Sequence, residues 1–461
     1  MKLLLSIFLL LGFNLFGQNK ASNEFTFNEY LGYVKKYHPL VKLADLNISE
    51  AQASLMMARG GFDPKIEIDY EQKRFKDSEY YSILNSSFKI PTWYGIELKA
   101  GFDNNDGVYL NPENTVPNQG LTSVGIAVSV GQGLFINQRM ADVRKGKIQL
   151  KLGQAERNLE ATTVLYNASL AYFNWKKNYD EVKLYENYAT YAATRFKVIK
   201  ISIEQGDKPA IDSIEAGIIV RNRALSLEDS KLKLAKATLE LSNFLWLDNN
   251  IPLELQDDLI PENKLESTIS ETLRTNDLLQ NASLENHPKI NAWQTKIDML
   301  TIEQKLKSNL LLPKIDLGYS YLSEPSYFEK YRFEDYKVGV NFSFPLFLRK
   351  ERGSLKLAKY KVQDAEYSLK VVRLQLKNKL KAQQTEINSL IKQINIIENL
   401  VNDYQTMLRS EERLFSFGES SIFLINAREN NLVSSQLSKI NVANRFFISN
   451  AELFKIMANP D

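Results

Sequence analysis

Strict alternation of apolar and polar residues marks four segments of the chain. Ile66, Ile68 and Tyr70 alternate with Lys65, Glu67 and Asp69, and Val124, Ile126, Val128 and Val130 with Gly125, Ala127 and Ser129. Ile315, Leu317, Tyr319 and Tyr321 interleave with Lys314, Asp316, Gly318 and Ser320, and Val338, Val340, Phe342 and Phe344 with Gly339, Asn341 and Ser343. Successive side chains of a strand point to opposite faces, so each segment predicts a strand with one greasy and one wet side. A fifth run, Tyr94, Ile96, Leu98, Ala100 and Phe102, follows "KIPTW" and a weaker strand near 81–90. These two predict an added hairpin, and the pattern leaves open whether it joins the same sheet.

Elsewhere the pattern is helical. Helices of moderate length are predicted over 40–59 and 290–310, each stopped before a proline, Pro64 or Pro313. Residues 137–205 contain no proline and two glycines, Gly146 and Gly153, while 350–417 contain no proline and the single Gly353. At about 1.5 Å per residue each run predicts a helix on the order of 100 Å long. Towards their far ends both carry a 3-4 apolar repeat. In the first it is Val182, Tyr185, Ala189, Ala192, Phe196, Ile199 and Ile203. In the second it is Ile387, Leu390, Ile394, Ile397, Val401, Tyr404, Leu408 and Phe415, broken at Glu411. Such seams predict coiled-coil packing, with the antiparallel helix after each turn as partner. Gly206 and Gly418 suit left-handed helix caps, and Asp207 and Ser420 are candidate N-caps of the return helices, with Pro209 in a permitted early position.

The parts occur twice. "HPLVK" at His38 and "HPKIN" at His287 stand 249 positions apart, as do "DPKIEIDYE" at Asp63 and "LPKIDLGYS" at Leu312. "VGIAVSV" at Val124 and "VGVNFSF" at Val338 are offset by 214, the difference being the added hairpin of the first copy. "GDKPAIDSIEA" at Gly206 matches "GESSIFLINA" at Gly418. The expected organisation is a signal segment over 1–17 and a first copy over 18–247, with strands about 65–131 and helices about 137–205 and 209–247. A connector over 248–286 leads to a second copy over 287–461, with strands about 314–345 and helices about 350–416 and 421–458. The two histidines are equivalent positions of a repeat, each before a proline at a helix start, and read as structural.

Composition narrows the function. "MKLLLSIFLLLGFNLFGQ" has the charged start, apolar core and small residue of a secretory signal. No later apolar run reaches the ~20 residues of a membrane helix, so a membrane-spanning part would have to be a β-barrel. With 22 tyrosines and 24 phenylalanines, the alternating strands suit a barrel with a wet lumen and an aromatic girdle. The absence of cysteine excludes disulfides, thiolate metal sites, catalytic thiols and a lipidated N-terminal cysteine. A net charge of +3, spread along the chain, gives no reason to expect nucleic acid. No glycine-rich phosphate loop or catalytic constellation is present, and the reading is of a non-enzyme without cofactor or metal.

Helix, strand pair, very long helix, glycine turn and return helix, all present twice, resembles the outer-membrane efflux proteins, the TolC family. The residues carrying the resemblance are the His-Pro starts at Pro39 and Pro288, the prolines Pro64 and Pro313, "VGIAVSV" and "VGVNFSFPLF", and the two turn sequences. The first turn fits the family's pattern at Gly206, Asp212 and Ala216, whereas Ala427 lies nine rather than ten after Gly418. The resemblance implies a mixed α and β membrane fold. Duplicated long helical hairpins would form a periplasmic α-barrel, topped by strands contributing to a trimeric transmembrane β-barrel in outer-membrane lipid. It implies the channel of a tripartite efflux or type I secretion system, with a periplasmic adaptor (membrane fusion) protein and an inner-membrane RND or ABC transporter as partners. It assigns adaptor contact to the turns, Gly206, Asp207, Lys208, Gly418, Glu419 and Ser420.

Asp212 and Glu215 share one helical face, and three copies meeting at a constriction would form rings of like charge that favour cations. Phe423 and Asn426 hold the corresponding gate positions in the second copy, and Arg413 is placed to pair with a carboxylate in a closed state. The plainer reading is that Asp212 and Glu215 are solvated residues favoured by a helix N-terminus. The alternative for the whole chain is a non-conducting periplasmic coiled-coil adaptor or scaffold.

Overall fold

In a computed structural model, residues 23–275, 284–327 and 330–460 are described, and the expected signal segment lies outside them. A short strand β1 (Glu24–Phe25) leads into helices α1 (Phe27–Tyr37) and α2 (Pro39–Arg59). Strands β2 (Lys65–Phe75), β3 (Ser78–Pro91), β4 (Ile96–Asp106) and β5 (Leu121–Gly131) follow. The long helix α3 (Gln138–Glu204) then turns into α4 (Ile211–Ser242). After the small strands β6 (Trp246–Leu247), β7 (Ile251–Pro252) and β8 (Ile260–Pro261) and helix α5 (Leu265–Thr272), the order repeats. The second set is α6 (Pro288–Asn309), β9 (Lys314–Ser323), β10 (Tyr336–Ser343), α7 (Arg349–Ser416) and α8 (Ile422–Met457).

The chain forms two compact units. One comprises residues up to Val41, Thr163–Asn281 and Ala382–Lys455, and the other Lys42–Thr162, Ala282–Lys381 and Ile456–Asp461. Among the described residues the second unit holds one antiparallel sheet of six strands in the order β10-β9-β5-β4-β3-β2. The added hairpin is therefore β3–β4, and it is inserted between the first copy's two repeat strands, so that β5 pairs with β4 and β9 rather than with β2. Register carries the sidedness across the whole sheet. One row of directly opposed residues runs Tyr336, Tyr321, Val124, Ala100, Phe88, Ile66, apolar on every strand. The next row runs Lys337, Ser320, Gly125, Lys99, Lys89, Lys65, polar or small on every strand. The apolar side is uncovered, with Ile66 72 % and Val340 67 % exposed.

Helix α6 and nearly all of α2 belong to the same unit as the sheet. The glycines of α3 have their reason here: a Cβ on Gly153 would stand 2.7 Å from Asn47 O, and one on Gly146 3.1 Å from Leu55 Cα. Only glycine lets the α2 backbone approach that closely. In the second copy Ile290 and Ile297 of α6 pack on Ala365, Leu369, Val372 and Leu376 of α7. Helix α2 ends at Arg59, as its residues predict, and α6 at Asn309, one residue short of the expected end, each before its proline.

Both histidines cap helices. His38 and His287 share one backbone conformation, φ −64° and ψ 129°. In each the Nδ1 accepts a hydrogen bond from the amide two residues on, Leu40 at 3.2 Å and Lys289 at 3.0 Å. That leaves the proton on Nε2, which in His287 faces Ile456 O at 2.6 Å. The His38 ring stacks on Phe244 at 5.5 Å between centroids. Burial lowers the pKa of both imidazoles below the ordinary value.

The other unit is held by an aromatic core in which Phe27, Tyr30, Tyr172 and Phe173 are fully buried. Tyr172 donates to Phe25 O at 2.6 Å and accepts from the Glu262 amide at 3.0 Å, tying the connector to the start of the chain. Each such buried ring contributes on the order of 2–3 kcal/mol of transfer free energy.

Candidate functional site

The glycine turns lie in the first unit and share one construction. Gly206 has φ +83° and Gly418 φ +79°. Asp207 donates its amide to Ser202 O at 2.9 Å and Gly206 to Ile203 O at 3.0 Å. Glu419 donates to Leu414 O at 3.0 Å and Gly418 to Phe415 O at 3.1 Å. These paired bonds satisfy the last carbonyls of α3 and α7 in the Schellman arrangement. Nothing lies within 4 Å of where a Cβ would stand on either glycine, so both turns present open backbone.

The starts of the return helices depart from the sequence expectation. Helix α4 begins at Ile211 with Ala210 before it and no side-chain cap, so Asp207 does not cap it. In the second turn the cap is Ser421, whose Oγ accepts from the Leu424 amide at 3.3 Å. Ser420 instead donates to Glu411 Oε1 at 2.5 Å. The reason is the Schellman closure, which uses Asp207 and Glu419 as its final donors and delays the helix start beyond them.

Behind the turns the seam also departs from a simple hairpin. Ile199 of α3 and Ala216 of α4 share a cluster with Ile422 of α8, flanked by Phe196, Ile203 and Phe415. Tyr188 of α3 packs with Val401 and Leu408 of α7 and with Ile425, Leu432 and Val433 of α8. The partner of each seam is thus both hairpins together, because an apolar stripe on every one of four helices closes only when all four meet.

Polar residues are set into this seam. Glu429 of α8, 1 % exposed, lies 2.7 Å from Arg195 of α3 and 3.2 Å from Arg223 of α4. Arg223 also donates to Asn430 Oδ1 at 2.7 Å. Burial and then the Glu429 carboxylate push the Tyr188 hydroxyl up to about 12, and it donates to Gln436 Oε1 at 2.6 Å. Glu411, the break in the 3-4 repeat, is buried where it accepts from Ser420 and faces Arg428 Nε at 3.5 Å. These residues were not singled out as functional from sequence, yet the signal exists. Glu411 and Glu429 each occupy a position at which the apolar repeat calls for a hydrophobic side chain.

Of the expected gate residues, Asp212 and Glu215 are half-buried on α4. The structure brings Glu215 to the second copy: Asn426, buried on α8, donates to its Oε1 at 3.2 Å. The Asn426 Oδ1 has no hydrogen-bond partner among the described residues. Phe423, on the first turn of α8, is 66 % exposed. Arg413 lies over the Phe417 ring, 6.0 Å from its centroid, and Lys208 over Phe415 at 3.8 Å. Among the described residues no group of three or more His, Cys, Asp or Glu is placed to hold a metal.

Residues 279–459 match the outer membrane efflux protein family. That match spans the second copy of the unit. No curated protein matches the sequence. The fold of the full chain is nonetheless that of solved channels. The Campylobacter jejuni CmeC outer membrane channel has a TM-score of 0.64 at 14% identity, over 94% of this chain and 85% of that one. The Vibrio cholerae outer membrane protein VceC has 0.65 at 12%, over 94% and 96%. The open state of the Neisseria gonorrhoeae MtrE outer membrane channel has 0.65 at 11%, over 94% and 89%. The outer membrane efflux family is one of channels and not of enzymes, and its members work with adaptors and inner-membrane pumps. The location of that family is the outer membrane.

Proposed function

We propose that the protein is the outer-membrane channel component of a tripartite efflux or type I secretion system. Three copies close a β-barrel through their sheets and a helical tube through their hairpins. The observation that carries this is the sheet: six strands with one uncovered apolar side and one polar side, joined to two long helical hairpins. In water that apolar side would be an aggregation hazard, and in lipid it is the required surface. A non-conducting adaptor has no use for it.

The open turns at Gly206, Asp207, Lys208, Gly418, Glu419 and Ser420 are then the contact for a periplasmic adaptor, and the exposed Phe417 supplies apolar area there. An inner-membrane RND or ABC transporter feeds the tube. Asp212 and Glu215, with Phe423 and Asn426, form the constriction when three copies meet, and Arg413 pairs with a neighbouring carboxylate in the closed state. Support for the gate comes from the hydrogen bond between Asn426 of the second repeat and Glu215 of the first. In a planar bilayer the channel is expected to prefer cations, and Asp212→Ala with Glu215→Ala to reduce that preference severalfold. An unchanged reversal potential in the double variant would remove these carboxylates from the gate.

A further inference from the structure

The inserted hairpin bears on the width of the pore. The duplicated unit alone would supply four strands per chain, β2, β5, β9 and β10, and three chains would close a barrel of twelve. The chain has β3 and β4 as well, and they are neither appended at an edge nor folded away. They separate β2 from β5, with β2 paired along its length to β3 and β5 to β4. Their sidedness matches the rest: Phe88 and Ile90 of β3 and Leu98 and Ala100 of β4 lie on the apolar side. On the polar side Lys89 pairs with Glu67, and Glu97 with Arg139 at 2.9 Å.

We propose that the β3–β4 hairpin is part of the barrel wall, so that three copies close eighteen strands by joining β10 of each copy to β2 of the next. This rests on the trimeric channel reading above. Two features of the sheet support the closure. First, β2 and β10 are the edges and run in opposite directions, since six antiparallel strands separate their polarities, so the new pairing is antiparallel like every other. Unpaired backbone along both edges in lipid would be prohibitive, and the joint removes it. Second, the stagger fits. The row through Ile66 reaches Tyr336 at the outer end of β10, six residues from Phe342, which with Ile66 lies nearest the helices. Seating the next copy's Ile66 beside Phe342 keeps apolar residues together and also sets Ile68 on Val340, Tyr70 on Val338 and Glu71 on Lys337. A six-residue offset over six strands corresponds to a tilt of roughly 35°, within the usual range for barrels. Eighteen strands at that tilt enclose a barrel roughly 34 Å across, against roughly 23 Å for twelve. A wall of that width imposes no size limit on small cargo, and selection falls to the helical end.

The chain contains no cysteine, which makes thiol mapping clean. In the full chain in its own outer membrane, Asp69→Cys with Gly339→Cys, or Glu71→Cys with Lys337→Cys, is expected to oxidise to covalent trimers. Single cysteines at Ser87 and Lys99, on the polar side of the hairpin, are expected to react with an aqueous maleimide. Those at Phe88 and Leu98 should react at least tenfold more slowly. Trimers whose four hairpin positions all react alike would place the hairpin in water and overturn the eighteen-strand wall while leaving the channel intact. Failure of every β2–β10 pair to cross-link would overturn the trimeric closure itself. Electron cryo-microscopy of the unmodified trimer in a lipid disc gives a second readout: eighteen wall strands support the proposal, and twelve with the hairpin outside refute it.

Discussion

His287 shows how a single residue can look catalytic and be structural. Its Nδ1 occupies the N-cap acceptor position of α6, and its Nε2 proton is used on Ile456 O. Removing the ring by His287→Ala should cost about 1 kcal/mol at the start of α6. Hydrogen exchange at the Lys289 amide would then run about fivefold faster. The same contact depends on pH. Burial lowers the folded-state pKa of both histidines, so the neutral form is favoured in the fold. Their contribution is complete above roughly pH 6.5 and is lost as pH falls through that value towards the lowered pKa. Protection at Lys289, its exchange measured against the intrinsic rate at each pH, should therefore fall between pH 7.5 and pH 5.5, and a His287→Asn cap should remove that dependence. The role was legible from sequence because histidine, proline and helix start recur together 249 residues apart.

Between elements, the deciding feature is that the two hairpins pack as four helices around polar side chains. Arg195, Glu429 and Arg223 come from α3, α8 and α4, and nothing in their local sequence indicates that they meet. Glu429→Ala leaves two guanidinium groups buried without their carboxylate and should destabilise the helical unit by about 3 kcal/mol or more. A lower melting temperature of the helical ellipticity, with Glu429→Gln falling between the two, is the expected result. Equal melting of Glu429→Ala and the parent chain would show that the cluster is solvated. The N-caps show the reverse case, where local chemistry misleads. Asp207 and Ser420 are good capping residues near a glycine, but the turn closes with Schellman bonds, and the residue before the helix moves three positions on in the first turn and one in the second.

For the whole molecule, the exposed apolar side of the sheet makes an isolated copy incomplete. Extracted in detergent, the protein should run as a trimer on unheated gels and as a monomer after boiling. A freely soluble monomer in the absence of detergent would contradict the channel reading. The sequence by itself determined the duplication, the long helices, the two-sided strands and the glycine turns, because each follows from the spacing of residue types within one segment. Only the tertiary structure decided that β3 and β4 lie inside the sheet, that Asn426 meets Glu215, and that Glu411 and Glu429 are buried. Those facts depend on which strand edges and helix faces find one another across hundreds of residues. A period of two or of three and a half states which side of an element is apolar, but not which partner covers it.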